Sequence, residues 1–246
     1  MSRIGESNLS DRDRLLGEIE NIKGCDTVEE VAQKTMDLLY ERFEESIVLA
    51  RVFATVPFEK LPSENRDFVA KLASSAGIST LMSNTTPTLS LLGTRGMSAD
   101  WNDRRKSEGH VGIPLASGSF VSTIPMMSRL LKQLGLDLEW IDQWDTKIVS
   151  EASLSTFAGT FYVEDARLEK DSQGRKVIAG QDFVSKYGVK TVFGFGGSYL
   201  GRGTFVVTIV FTRDIIEKSL VERFQVLVNA FKMASMDQIS TGRIFK

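Results

Sequence analysis

The side chains that most often carry catalysis or bind metals are scarce in this sequence. His110 is the only histidine and Cys25 the only cysteine among 246 residues. A Ser-His-Asp triad would have to use His110, and a histidine/cysteine zinc site, with its usual set of about four ligands, cannot be built within the chain. A haem needs only one axial histidine. A haem site at His110 therefore stays open beside the simpler interpretation, an ordinary hydrogen-bonded histidine.

A second candidate for chemistry is the segment WNDRR at residues 101–105, which joins an aromatic plane to two guanidinium groups. Such a combination could hold a planar or anionic ligand by stacking and bidentate hydrogen bonds. The alternative is an ordered loop in which Trp101 fills the core and Arg104 pairs with Asp103 or Glu108. An enzyme that uses residues 101–110, with Asp103 or Glu108 as the base, is a further alternative.

The third candidate is the glycine-rich stretch VFGFGGSYLGRGTFVVTIVF at residues 192–211. The dinucleotide fingerprint G-x-G-x-x-G fails because Tyr199 takes the third glycine position and a strand follows instead of a helix. G-x-S-x-G fails at Leu200, and a P-loop would need a lysine. The pattern predicts a β-hairpin that turns at residues 201–203. The glycines of its first strand predict a bulge, or a bare face beside a ligand; they are Gly194, Gly196 and Gly197.

Hydrophobic periodicity predicts the elements that must position these residues. Predicted helices cover residues 11–23, 27–43, 63–76, 119–134 and 215–236, with a capping box at Thr27 and Glu30 and a break at Pro125. Predicted strands cover residues 46–56, 88–94, 110–115, 157–163, 189–195 and 204–212. Arg51 interrupts the first strand, where it should face the same side as Leu49 and Phe53. This order of elements predicts one α+β domain with an antiparallel sheet.

Composition narrows the class of protein. Hydrophobic residues make up 42% and charged residues 25% of the chain, as in ordinary globular proteins. The net charge of −2 gives no general attraction to nucleic acid. No apolar run approaches the ~20 residues of a membrane span, and the first residues do not resemble a signal peptide. We therefore expect a cytoplasmic protein with neither nucleic acid nor a membrane as its partner.

Several segments form a family-like pattern over residues 28–235. They are LLGTRG at 91–96, WNDR at 101–104, SEGH at 107–110, IPL at 113–115, FVSTIPMM at 120–127, FYVED at 161–165, VFGFGG at 192–197 and VFTR at 210–213. Together they resemble the GAF-like sensory domains found at the amino terminus of bacterial histidine kinases and related signalling proteins. The resemblance implies a GAF-like α+β fold in which helices flank a central antiparallel sheet and the N- and C-terminal helices pack together.

The resemblance also implies an organisation and a function. Residues 1–26 would form an N-terminal helix that serves dimerisation, residues 27–240 the sensory domain, and residues 241–246 a tail. The chain would be a stand-alone, non-catalytic sensory or regulatory domain that binds a small molecule or a signalling partner such as a histidine kinase. It would form a homodimer through its terminal helices. A GAF-type sulfoxide reductase would need several cysteines, so a chain whose only cysteine is Cys25 cannot carry out that reaction. A structural dimer without a ligand is the remaining alternative.

The residues themselves predict one ligand site, although they do not identify a ligand or a cofactor. We expect five features to converge on one concave region. They are an arginine in an apolar strand, another arginine at a strand end, the segment that joins a tryptophan to an arginine, the single histidine, and a strand rich in glycine. We expect this convergence because burying an unpaired guanidinium group is costly, so a protein does it where the group binds a ligand. The predicted ligand-binding residues are Arg51, Arg95, Trp101, Arg104, His110, Tyr162 and Phe195.

Overall fold

The fold consists of one antiparallel sheet with helices on both of its faces. The computed structural model describes residues 3–107, 109–142, 158–199 and 203–246. Within them the sheet has six strands in the order β3-β2-β1-β6-β5-β4, and every neighbouring pair is antiparallel. The strands are β1 Ile47–Pro57, β2 Pro87–Gly96, β3 Gly112–Pro114, β4 Ala158–Val163, β5 Val192–Ser198 and β6 Phe205–Thr212. The predicted antiparallel sheet is confirmed.

The helices follow the predicted order, although two of them are divided. They are α1 Leu9–Glu20, α2 Val28–Arg42, α3 Ser63–Ser75, α4 Gly118–Ser122, α5 Pro125–Gln133, α6 Glu139–Asp142, α7 Gln181–Tyr187, α8 Lys218–Phe224 and α9 Leu227–Ser240. The predicted break at Pro125 is confirmed: the proline occupies the first turn of α5, where no amide is needed. The single long helix predicted for residues 215–236 is wrong in detail, because it begins at Lys218 and is interrupted at Gln225 and Val226.

Two hydrophobic clusters lie on opposite faces of the sheet. One contains Leu49 and Phe53 of β1 and packs under α4, α5 and α7; the other contains Ala50 and Val52 and packs against α1, α2 and α9. The predicted alternation along β1 holds for these residues. Val48 joins Leu49 in the first cluster, against the alternation, because the register shifts between Ile47 and Leu49.

The terminal helices pack together, as expected: α1 contacts α9, and both contact α2. The central antiparallel sheet, its flanking helices and these paired terminal helices confirm the α+β architecture expected from the sequence. Residues after α9 also lie on α2, since the amides of Val28 and Glu29 donate to the carbonyls of Arg243 and Ile244 at 3.0 and 2.9 Å. No described helix is long and apolar enough to cross a membrane.

The glycine-rich stretch is a hairpin, as predicted, and β5 pairs with β6 without a register shift. The predicted bulge is therefore wrong. A Cβ on Gly194 would collide with the carbonyl oxygen of Thr208, and one on Gly196 would lie 2.8 Å from that of Val206 and 3.2 Å from Leu134 Cδ1. The bare face is thus filled by the neighbouring strand and by Leu134 rather than left open for a ligand. Residues 201 and 202 of the predicted turn lie outside the described part of the chain.

Candidate functional site

A cavity of about 530 Å³ lies on the face of the sheet that α5 and α7 cover. Its floor is formed by apolar residues of β1, β2 and β6: Leu49, Phe53, Leu89, Ile209 and Phe211. Its walls come from the segment around Trp101 and His110, from the start of α5 and from residues 178–187. The volume is of the order that holds a drug-sized molecule. This cavity is the candidate ligand site.

Aromatic rings form one wall of the cavity. Trp101 lies 4.7 Å from Tyr187 and 5.7 Å from Phe183, and Phe183 lies 5.5 Å from Phe211, all measured between ring centroids. Gly96 leaves room for Trp101, because a Cβ on that glycine would lie 2.8 Å from the indole. The rings touch one another, so they leave no gap for a cation between them. They instead offer a continuous surface against which a flat apolar group can pack.

Arg51 is the one arginine that the described part of the cavity contains. Its Nη2 donates to Ser107 Oγ at 2.7 Å, while its Nε is buried and has no hydrogen-bond partner among the described residues. No described carboxylate forms an ion pair with it. Burial lowers the pKa of Arg51 to about 10. The guanidinium therefore remains charged at neutral pH, in surroundings that are mainly apolar.

The neighbours of Arg51 explain how the chain accommodates this charge. A Cβ on Gly109 would lie 2.8 Å from Arg51 Nη1, so the glycine leaves room for the guanidinium. His110 follows at the rim, an exposed residue whose ring meets that of Phe68 edge to face at 6.2 Å. Desolvation, and then the charge of Arg51, lower the pKa of His110. The imidazole is therefore neutral at pH 7.

Arg104 does not line the cavity, contrary to the prediction. It is 5% exposed, and its guanidinium grips Glu29 through Nε–Oε1 at 2.7 Å and Nη2–Oε2 at 2.9 Å. Its Nη1 donates to Asn65 Oδ1 at 3.0 Å, and the ring of Phe245 lies 5.0 Å from its Cζ. The alternative pairing with Asp103 is also wrong, because that carboxylate accepts the amide of Arg105. Nη1 and Nη2 each donate a hydrogen bond, and Nε lies in the ion pair with Glu29 although not in hydrogen-bond geometry, so this guanidinium has little capacity left for a ligand.

The other three predicted residues lie elsewhere as well. Arg95 stands opposite Ala50 and thus points to the α2 face of the sheet. Tyr162 donates its hydroxyl to the carbonyl of Ile216 at 2.7 Å, and Phe195 is buried in the cluster beneath α9. Phe195 faces away because side chains alternate along β5, and Gly194 and Gly196 occupy the cavity face. The expectation of a single convergent site is therefore corrected: Arg51, Trp101 and His110 line the cavity, and the other four do not.

Several lining residues escaped the sequence reasoning. Phe183 and Tyr187 are four residues apart, so both side chains project from one face of α7 toward Trp101. That spacing was visible in the sequence, whereas their meeting with a tryptophan some eighty residues earlier was not. Ser107 carried no signal of its own. No group of described histidine, cysteine, aspartate or glutamate residues is arranged to hold a metal ion.

Comparisons with known proteins do not assign a family or a function to this chain. Neither a protein-family model nor a curated protein matches the chain. Among solved structures, free methionine-R-sulfoxide reductase from Neisseria meningitidis, in complex with its substrate, is similar at 9% identity and a TM-score of 0.46, over 98% of both chains. The phycoerythrobilin-bound GAF domain of a cyanobacterial phytochrome is similar at 10% identity and a TM-score of 0.45, over 95% of this chain and 96% of that one. Both TM-scores are below 0.5, so the function proposed next rests on the residues of the cavity.

Proposed function

We propose that this chain is a non-catalytic sensory or regulatory domain whose cavity binds a small molecule with a flat apolar body and one acidic group. The observation that carries the proposal is Arg51, a charged guanidinium in a mainly apolar cavity whose buried Nε has no hydrogen-bond partner among the described residues. Such a group costs stability in the free protein. An acidic ligand would supply the missing acceptors and recover that cost on binding.

The aromatic wall supports the apolar part of the proposed ligand. Trp101, Phe183 and Tyr187 would pack against a planar body while its acidic group reaches Arg51, which lies between Leu49 and Phe53 on the cavity floor. Asp182 and Lys186 also line the cavity, but both are exposed, so Arg51 is the part-buried charge that would fix the orientation and the class of a ligand. The neutral His110 at the rim adds a hydrogen-bonding group near the same end.

A signal could leave the cavity through one short segment. Ser107 holds Arg51, Trp101 forms the wall, and Arg104 between them is bound to Glu29 in the first turn of α2. A ligand that draws Arg51 away from Ser107 would change the position of this segment and with it the packing at α2. We further propose a cytoplasmic location, a signalling protein such as a histidine kinase as the output partner, and a homodimer through α1 and α9.

The binding proposal is tested with a probe pair that differs only in charge. 8-Anilinonaphthalene-1-sulfonate is a flat aromatic anion, and N-phenyl-1-naphthylamine is the same body without the sulfonate. Arg51→Met should weaken the sulfonate probe about 10- to 100-fold, because a hydrogen bond to a charged group contributes about 1.5–3 kcal/mol. The neutral probe should bind the variant as well as it binds the wild type, in the same fluorescence titration.

The matched control is Arg14→Met, which removes the same charge from an arginine that is 73% exposed on α1. It should leave the binding of both probes unchanged. If Arg51→Met and Arg14→Met bind the sulfonate probe equally well, Arg51 does not recognise anions and the proposal fails. Native mass spectrometry of freshly purified protein would then show which molecule, if any, the cavity retains.

A haem-binding sensor is the second candidate, because His110 lines the cavity and its lowered pKa favours the neutral imidazole that ligates iron. Haemin added to the wild type should then give a shifted Soret band that His110→Ala abolishes; identical spectra would dismiss this candidate. The enzyme alternative has less support, because the carboxylate of Asp103 already accepts the amide of Arg105 at 3.0 Å. Its other base, Glu108, lies outside the described residues.

A further inference from the structure

A second group of arginines lies on the opposite face of the sheet, away from the cavity. Arg95 near the end of β2 lies beside Tyr40 of α2, and Arg213 just after β6 is near enough for its charge to act on the same phenol. The Cζ of Arg95 is 5.8 Å from the centroid of the Tyr40 ring. Arg213 reaches Met97, two residues beyond Arg95, with its Nη2 2.8 Å from the sulfur. Nothing in the cavity proposal uses these residues.

Neither guanidinium has a good acceptor among the described residues. The Nε atoms of Arg95 and Arg213 are both buried without a hydrogen bond. Arg95 Nε lies 3.7 Å from Asp37 Oδ1, too far for a hydrogen bond, and that oxygen accepts from Gln33 Nε2 at 3.1 Å instead. Gln33 is in turn fixed to the backbone of Thr94. The carboxylate is therefore held away from the arginine beside it.

Arg213 is still less well satisfied. The only side-chain hydrogen bond it makes to a described residue is to the sulfur of Met97, and a thioether is a weak acceptor. It forms no ion pair with a described carboxylate. The hydroxyl of Tyr40 makes no hydrogen bond to a described residue, and burial, then Glu44, raise the pKa of this phenol, so it stays a proton donor. Two guanidinium groups and one hydroxyl thus lie together with donors to spare.

We propose that Arg95, Arg213 and Tyr40 form a second site, which binds the phosphoryl group of a phosphate monoester. A phosphate monoester carries close to two negative charges and three strong acceptor oxygens, which match two guanidinium groups and a hydroxyl better than a single carboxylate does. Met97 is 45% exposed and can give up its contact with Arg213 when an oxygen takes its place. Asp37 and Glu44 flank the site, so binding is modest and weakens as salt is added.

The direct test observes the arginine Nε–H signals by nuclear magnetic resonance while inorganic phosphate is added. The signals of Arg95 and Arg213 should shift together with one dissociation constant, and sodium chloride at the same ionic strength should not reproduce the shift. Arg95→Gln and Arg213→Gln should each weaken phosphate binding roughly tenfold, because each removes a charge-assisted hydrogen bond. Tyr40→Phe keeps the ring under Arg95 and should weaken binding by a smaller factor.

Matched controls separate recognition from folding. Arg14→Gln removes a charge from the exposed surface of α1 and should leave phosphate binding unchanged. Arg95→Lys and Arg213→Lys keep the charge but lose the planar guanidinium with its paired donors, and should bind phosphate more weakly than the wild type. Each variant should keep the far-ultraviolet circular dichroism spectrum and the melting temperature of the wild type, which shows that the domain is folded. Equal shifts with phosphate and chloride, or phosphate binding that survives both glutamine substitutions, would overturn the proposal.

Two further probes identify the source of the phosphoryl group. Ribose 5-phosphate represents a small metabolite, and a short uncharged peptide with one phosphoserine represents a phosphorylated protein segment. Tighter binding of the sugar phosphate supports the site with a metabolite as its ligand, and tighter binding of the peptide supports it with a protein partner. Failure of both to bind more tightly than chloride overturns it. None of these outcomes depends on whether the cavity binds a ligand.

Discussion

Replacing Arg51 by methionine should make the free protein more stable. Burial lowers the pKa of this guanidinium from its ordinary value to about 10. The difference corresponds to about 3 kcal/mol at about 1.4 kcal/mol per pH unit, which is the cost of keeping the charged form in the cavity. The cost is fully present below pH 10 and is relieved only as the pH rises from the folded to the unfolded value. Neutral pH thus lies well inside the unfavourable range.

The hydrogen bond to Ser107 offsets part of this cost. Losing a bond from a charged donor removes about 1.5–3 kcal/mol, so the net gain for Arg51→Met should be at most about 1.5 kcal/mol. For a domain of this size that is a rise in melting temperature of at most about 4 °C. Methionine is flexible enough to fill the space between Leu49 and Phe53 without strain. The gain in stability should come together with the loss of anion binding, as expected of a residue kept for function.

Urea denaturation and calorimetry measure this gain, and Arg104→Met is the contrasting variant. Arg104 is more deeply buried than Arg51 but paired, and its removal leaves the carboxylate of Glu29 without its main partner. We expect that variant to lose about 3–5 kcal/mol, or to fail to fold. The reasoning is refuted if Arg51→Met is destabilised by more than about 1 kcal/mol, since Arg51 would then be an ordinary stabilising arginine.

Other predictions concern pH, packing and assembly. Because the pKa of His110 is lowered in the folded state, the wild type should lose stability as the pH falls below about 6.5. In urea denaturation at pH 5 and 7.5, His110→Gln should lose less stability than the wild type, and identical pH profiles would contradict this. Gly196→Ala should lower the free energy of unfolding by about 1–3 kcal/mol, because the new Cβ would clash with the neighbouring strand. Gly17→Ala, in open space on α1, should raise it by about 0.5–1 kcal/mol. Equal effects of the two substitutions would contradict this prediction. Light scattering should show a dimer that Met233→Asp dissociates, since Met233 is 69% exposed on α9; a wild-type monomer at micromolar concentration would disprove the dimer.

The sequence could predict the orientation of some site residues because local rules determine it. Alternation along a strand placed Arg51 beside Leu49 and Phe53, and glycine patterning identified the hairpin of β5 and β6. The partner of Arg104 could not be predicted in this way. Glu29 lies 75 residues earlier in the chain, and nothing near either residue indicates that they meet.

The failure to predict one convergent site has a similar origin. Trp101 and Arg104 are three residues apart, yet they lie in successive 3₁₀ turns separated at Asp103, which lets one side chain join the cavity wall and the other an ion pair. Arg51 and Arg95 lie on adjacent strands of one sheet, but the register pairs Arg95 with Ala50 and so sends the two arginines to opposite faces. Spacing along the sequence says which side chains share an element, and only the packing of whole elements decides which of them share a site.

The strand order has a consequence for how the cavity comes into existence. The sheet consists of two consecutive three-stranded halves, β1 to β3 and β4 to β6, which meet only along the ladder between β1 and β6. The cavity floor straddles that seam, because Arg51 of β1 lies directly opposite Ile209 of β6. During synthesis β1 presents an open apolar edge until β6 emerges about 150 residues later, which is a slow, long-range pairing. Because the cavity floor spans both halves, an acid bound there would stabilise the boundary that the chain closes last.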